Sequence, residues 1–176
     1  MFGQAFYMTT KAKVAQWLLE DAWFKVNANQ INSIVDSDNK SPWPWADIHP
    51  VAKLTFDRQS ISHIVLNNDS GQALAFGPGL TFHSDEANML AISGHRDTHF
   101  AVLKNIEIGD LITLERPNTE PQKLSIRNRY IIDVRKEEFR LHSDSINNTH
   151  HVILITCYPF ESVERATPFR LIVEAS

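Results

Sequence analysis

One cysteine, Cys157, stands in 176 residues. That excludes an internal disulfide, so stability must come from an apolar core. It leaves the compartment open, because a thiol without a partner survives outside the cytoplasm as well as inside it. The chain also lacks any stretch of about 18 or more apolar residues, and no transmembrane helix is read from it. Its opening, Met1 to Met8, is too short for a secretory hydrophobic region and has no basic flank. Basic charge is scarce: 17 Lys and Arg against 21 Asp and Glu, a net charge of −4, with no basic run. A nucleic-acid surface would normally be basic, so that class is set aside. There is no internal repeat. What is present is the composition of one globular domain, 43% hydrophobic and 22% charged.

The chain divides into three parts. Residues from about Thr9 to Lys25 carry Val14, Trp17, Leu18 and Ala22 at three- and four-residue spacing, with Lys11, Lys13, Gln16 and Glu20 elsewhere. This spacing predicts an amphipathic helix, capped by Thr9 or Thr10. The stretch 27–43 is rich in Asn, Ser and Asp and reads as a polar linker or loop. Residues 44–176 form the third part, and its pattern becomes strand-like from Val51. Pro42 and Pro44 force extended backbone, and the two tryptophans beside them are read as closing the end of a barrel. Val51 to Phe56 alternates Ala, Leu and Phe against Val, Lys and Thr, and Ile61 to Leu66 is a second short run. Gly71 to Phe76 predicts a single helical turn, and Gly77-Pro-Gly79 a turn or loop. Further strands are predicted at Thr81 to His83, Asn88 to Ser93, Leu111 to Glu115, Lys123 to Val134, Val152 to Cys157 and Phe169 to Glu174. A short helix fits Phe100 to Leu103. The segment from Arg135 to His150 is long for a loop in a compact domain, which points to function or to a short helix within it. Many short strands, few helices and no repeat predict a closed, mostly β barrel of seven to nine strands.

The stretch His151-His-Val-Ile-Leu-Ile-Thr-Cys-Tyr-Pro-Phe160 deserves separate reading. Val152 to Ile155 has the look of a strand buried on both faces. Pro159 lacks a backbone donor, so the ladder cannot run on far past Cys157. A thiol at the end of a rigid strand, where a loop begins, is held still yet within a substrate's reach. A lone cysteine is more often a small buried hydrophobe, and this stretch alone does not decide between the two.

Other segments do. Upstream lies Ala91-Ile-Ser-Gly-His-Arg-Asp-Thr-His-Phe100, and downstream Pro168-Phe-Arg-Leu-Ile-Val-Glu-Ala175. Taken in order with Leu154-Ile155-Thr156-Cys157 and the Gly109-Asp110 turn, they resemble the sortase family of cysteine transpeptidases. The resemblance runs from about Pro44 to the C-terminus. The Trp43-Pro-Trp-Ala-Asp47 start is similar to the proteobacterial branch more than to the Gram-positive one. It implies an eight-stranded sortase-like β-barrel with a few short helices and an N-terminal helix. It assigns Cys157 as nucleophile, His95 as general acid, and Arg170 as the group that holds the substrate carbonyl. Thr156, beside the cysteine, is implied to help line the substrate site. The implied reaction cleaves a C-terminal sorting signal of a secreted protein through a Cys157 thioester and passes it to an amine acceptor. Family members are held at the cell membrane by an N-terminal helix with the catalytic domain outside the cytoplasm, so an anchor preceding or ending at Met1 to Met8 is expected. No cofactor and no metal are implied.

The residues leave other readings standing. His95 and His99 are four apart, as in a zinc-binding helix, yet Arg96 occupies the place of the glutamate such a motif needs, and Gly94 and Asp97 suit a turn. Asp85 and Glu86 are too few for a calcium cage. A thiol peptidase would share Cys157 and His95 and differ only in using water as acceptor. A non-catalytic β-barrel binding module would use neither. For Arg170 by itself, a solvated surface head is the ordinary expectation.

Overall fold

The structure is a computed structural model, and it describes residues 18–25, 47–84, 88–136, 150–164 and 167–176. Eight strands close into one barrel: β1 (Pro50–Phe56), β2 (Ile61–Leu66), β3 (Gly79–Ser84), β4 (Met89–Ser93), β5 (Leu111–Glu115), β6 (Gln122–Asp133), β7 (His151–Tyr158) and β8 (Phe169–Ala175). Their order around the barrel is β1-β2-β3-β4-β7-β8-β6-β5. Closure gives every strand a neighbour on both sides, with β2 and β3 meeting only where Leu66 pairs with Gly79. Strand β1 shows the alternation expected from its sequence, with Ala52, Leu54 and Phe56 buried and the residues between them half-buried. The alternate positions of the other strands fill the barrel with aliphatic side chains, among them Ile92, Ile112, Leu114, Ile126, Leu154, Leu171 and Val173. Removing each from water contributes roughly 1.5–3 kcal/mol.

Two features place the site. Strands β4 and β7 run parallel, with Met89 opposite His151 and Ser93 opposite Ile155. Their crossover connection contains β5 and β6, and both strands are buried on both faces over Met89 to Ile92 and Val152 to Leu154. That explains their near-continuous apolar sequences, since a strand covered on both sides has no polar face to alternate with. On the outer side, Met89, Ala91, Ile132, Ile153 and Ile172 form a second apolar cluster with Ile155 against it. Cys157 lies further along that same outward row of β7.

The helical predictions are met in part. Residues 18–25 are helical, and Leu19 and Trp23 pack on Ile48, Ile64, Leu66 and Ala73. The part of the predicted helix before residue 18, the polar linker and the Pro42 to Trp45 segment lie outside the described residues, as does most of the Arg135 to His150 segment. The helical turn predicted at Gly71 to Phe76 is a short helix, Gly71–Leu74, with Ser70 Oγ accepting from the Ala73 amide as its N-cap. The short helix predicted from Phe100 is a 3-10 turn, Ala101–Asn105. In the Gly109-Asp110 turn, Gly109 takes a φ of +94°, a conformation that strains any L side chain. Strand β7 runs one residue beyond Cys157, to Tyr158, and stops before Pro159, which has no backbone donor.

Candidate active site

Cys157 and Arg170 are register partners across the antiparallel pair β7–β8. Side chains of directly opposed residues stand on the same face, with Cβ atoms about 4.5–5.5 Å apart. The thiol is half-buried and free. The guanidinium of Arg170 is held through one terminal nitrogen: Nη1 donates to the Thr167 carbonyl at 2.5 Å and to the Phe169 carbonyl at 2.9 Å. An arginine fork carries five donors, so these two bonds leave others to meet a substrate oxygen.

His95 reaches the same end of the barrel from β4. The parallel register ends with Ser93 opposite Ile155, and Gly94 and His95 continue the chain at that end of β7. Two bonds carry the continuation: the Gly94 amide donates to the Ile155 carbonyl at 3.1 Å, and Thr156 Oγ1 donates to the Gly94 carbonyl at 2.7 Å. The chain then turns at once. The His95 carbonyl accepts from the Phe100 amide at 3.0 Å and the Thr98 amide at 3.4 Å, and the imidazole is left exposed. The turn brings Phe100 back under Gly94 so closely that a Cβ at position 94 would lie 2.7 Å from ring carbons of Phe100. Glycine there is a requirement of packing: any side chain would displace either the buried Phe100 or the backbone that carries His95. The segment after His95 is a succession of turns, so the helical geometry of a His-x-x-x-His zinc site is not formed. Among the described residues no group of three or more His, Cys, Asp or Glu could hold a metal ion. Asp85 and Glu86 lie outside the described residues.

Thr156 is 2% exposed, and it alternates with Cys157 so that its side chain faces inward with Leu154. Its hydroxyl donates to the Gly94 carbonyl, which makes it a tie between the cysteine strand and the histidine turn.

Three residues near the site were assigned no part in it from the sequence. Arg96 follows His95 and is buried. His63 on β2 and His99 form an edge-to-face pair, with ring centroids 5.5 Å apart at 88°, and Phe56 closes on His63 at 6.3 Å. His99 carried a signal only as half of a zinc spacing, and His63 carried none. Burial pushes the His63 imidazole down to about 4 from its ordinary 6.5, the neighbouring His99 adds to the effect, and a backbone hydrogen bond partly opposes it. His99 is lowered as well, first by burial and then by the charge of His95.

These depressed values fix a direction for pH dependence. Between about pH 6.5 and 4 the unfolded chain binds a proton on residue 63 that the folded chain refuses. Stability is therefore whole above that window and falls as the pH drops through it, by on the order of 3 kcal/mol for His63 alone. Urea midpoints at about pH 7.5 and about pH 4.5 should show this loss, and His63→Phe should flatten it. An equally steep loss in the variant would assign the effect to other groups.

A family model described as the Sortase domain matches residues 54–176. Sequence comparison with curated proteins finds no match. Among solved structures, a sortase D5 transpeptidase from Clostridium perfringens aligns at 17% identity over 93% of this chain and 97% of its own, with a TM-score of 0.58. Sortase A from Corynebacterium diphtheriae aligns at 18% identity over 93% of this chain and 83% of its own, at 0.57. Sortase C-1 from Actinomyces oris aligns at 19% over 89% and 97%, at 0.55. At such identities the structures speak for the fold; the family match, which takes in seven of the eight strands whole and the end of β1, speaks for descent, and on it the chain belongs to the sortase family, the cysteine transpeptidases.

Proposed function

We propose that Cys157, His95 and Arg170 carry out the transpeptidation. The observation that supports it most directly is the register pairing of Cys157 with Arg170, with the His95 turn tied to the same strand end. The thiolate of Cys157 attacks the carbonyl carbon of a peptide bond in a sorting signal. As the carbon–sulfur bond forms, negative charge gathers on the carbonyl oxygen, and the Arg170 guanidinium offers it fixed, always-charged donors. The carbon–nitrogen bond then breaks, and His95 gives the departing amine its proton. The thioester that remains is attacked by an acceptor amine. His95 takes a proton from that amine, a new amide forms, and the Cys157 thiolate leaves. The substrate is a secreted protein and the acceptor an amine, at the outer face of the cell membrane, reached through an N-terminal anchor. Among the described residues no helix is long and apolar enough to cross a membrane.

The test is thiol reactivity. The purified protein is mixed with a methanethiosulfonate reagent, and the adduct is followed by intact-mass spectrometry. A nucleophile with a cation opposite it labels once and fast in the folded state, and Arg170→Ala is expected to slow it by roughly tenfold, because the guanidinium is the cross-strand partner of the sulfur's position. Labelling only after unfolding would mean that Cys157 is a structural core residue and would end this reading.

A further inference from the structure

We infer that Arg96 is a positioning residue that sets the catalytic arginine, Arg170, through the loop between β7 and β8. The inference rests on the role proposed for Arg170 above. Among the described residues the buried polar or charged side chains are Arg96, Thr156 and Thr167, and all three are at this one end of the barrel. Thr156 ties β7 to the His95 turn. The other two form a second tie. Arg96 Nη2 donates to the Ser162 carbonyl at 2.9 Å and to the Glu164 carbonyl, and Nη1 reaches Thr167 Oγ1 at 3.5 Å.

Taking a guanidinium out of water costs several kcal/mol, and neutral oxygens repay that only in part. An apolar residue would fill the same space more favourably, so the arginine's benefit lies in what its fork fixes. It fixes Thr167, which is gripped from two sides. The Thr167 hydroxyl meets the arginine next to His95, and the Thr167 carbonyl accepts from Nη1 of the arginine opposite Cys157. Arg170 thus takes its orientation from a carbonyl whose place Arg96 holds. Because Arg96 is peptide-bonded to His95, one loop links the histidine and the arginine that the reaction needs together.

The experiment is a double-mutant cycle on the methanethiosulfonate labelling rate at neutral pH, with folding checked by circular dichroism. Arg96→Met is expected to slow labelling by roughly tenfold in the wild type and to have almost no effect in Arg170→Ala, since it acts through Arg170. Thr167→Val should slow labelling as Arg96→Met does, and Thr167→Ser, which keeps the hydroxyl, should restore it. Slowing by the same factor in both backgrounds would overturn the inference, because independent structural damage is additive. Slow Arg170→Ala with wild-type labelling of a folded Arg96→Met would overturn it while leaving the role of Arg170 intact. Wild-type labelling of Arg170→Ala would remove that role and the inference together. Where Arg96→Met does not fold, the Thr167 pair decides, and equal rates for Val and Ser would overturn the inference.

Discussion

Cys157→Ala is expected to abolish the thioester and lower transpeptidation by on the order of 10⁴-fold or more, the scale of losing the nucleophile from a covalent catalytic unit. The chain makes this test unusually direct. Cys157 is its only cysteine, so no neighbouring thiol can rescue the variant, and any acyl or mixed-disulfide adduct in an intact-mass spectrum has one address. The substitution should also be mild structurally. The thiol is half-buried at the end of β7, outside the main core, and alanine keeps the strand's backbone and its pairing with β8. Loss of turnover with an unchanged thermal midpoint is therefore the expected pair of results, measured with a sorting-signal peptide and an added amine. Turnover within tenfold of the wild type would show that the reaction does not pass through this sulfur.

The second large effect belongs to His95→Ala, with kcat expected to fall by about 10²–10⁴-fold, the range for removing a general acid or base. The exposed imidazole adds little to packing, and its carbonyl, which organises the turn by accepting from Thr98 and Phe100, is kept in the variant. The loss should fall mainly on kcat, since proton delivery to the leaving amine matters in the transition state and hardly at all for binding. His99 offers the internal control. Burial, then the charge of His95, lowers its affinity for a proton, so a neutral ring there is a poor acid, and His99→Ala should act through stability more than through kcat. A kinetic ranking with His99→Ala below His95→Ala would move the acid role to the wrong histidine for this account.

How much of this was legible before folding can be judged residue by residue. Strand β1 announced itself because a half-buried strand writes its two faces into alternate residues. Strand β7 was legible as a buried run stopped by Pro159, and its parallel neighbour β4 less so, since a short apolar segment does not say what lies on either side. The Gly94-His95-Arg96 and Thr156-Cys157 segments were legible through family resemblance, and Gly94 has a physical reason in the Phe100 ring beneath it. Arg96 was visible only as part of that motif. Nothing local marks an arginine as buried, because its burial depends on carbonyls 66 and 68 residues away in sequence. Thr156 was placed on the correct strand, but the face that its hydroxyl serves followed from the register. His63 gave no sign, for its partner lies on a different strand connection and neither residue belongs to a periodic pattern with the other.

The amino-acid order by itself determined the kinds of element and the chemical groups available: a mostly β chain, one thiol at a strand end, a histidine after a glycine, an arginine on the last strand. Those properties are local, set by side-chain alternation and by the backbone limits of glycine and proline. Only the tertiary structure decided that these groups share one rim. Barrel closure put β7 between β4 and β8, and with that order the parallel register delivered His95 and the antiparallel register delivered Arg170. A register is a property of two strands at once: it is chosen by how their buried faces fit around a common core, and a slip of one residue would turn Cys157 from the outer face into the barrel.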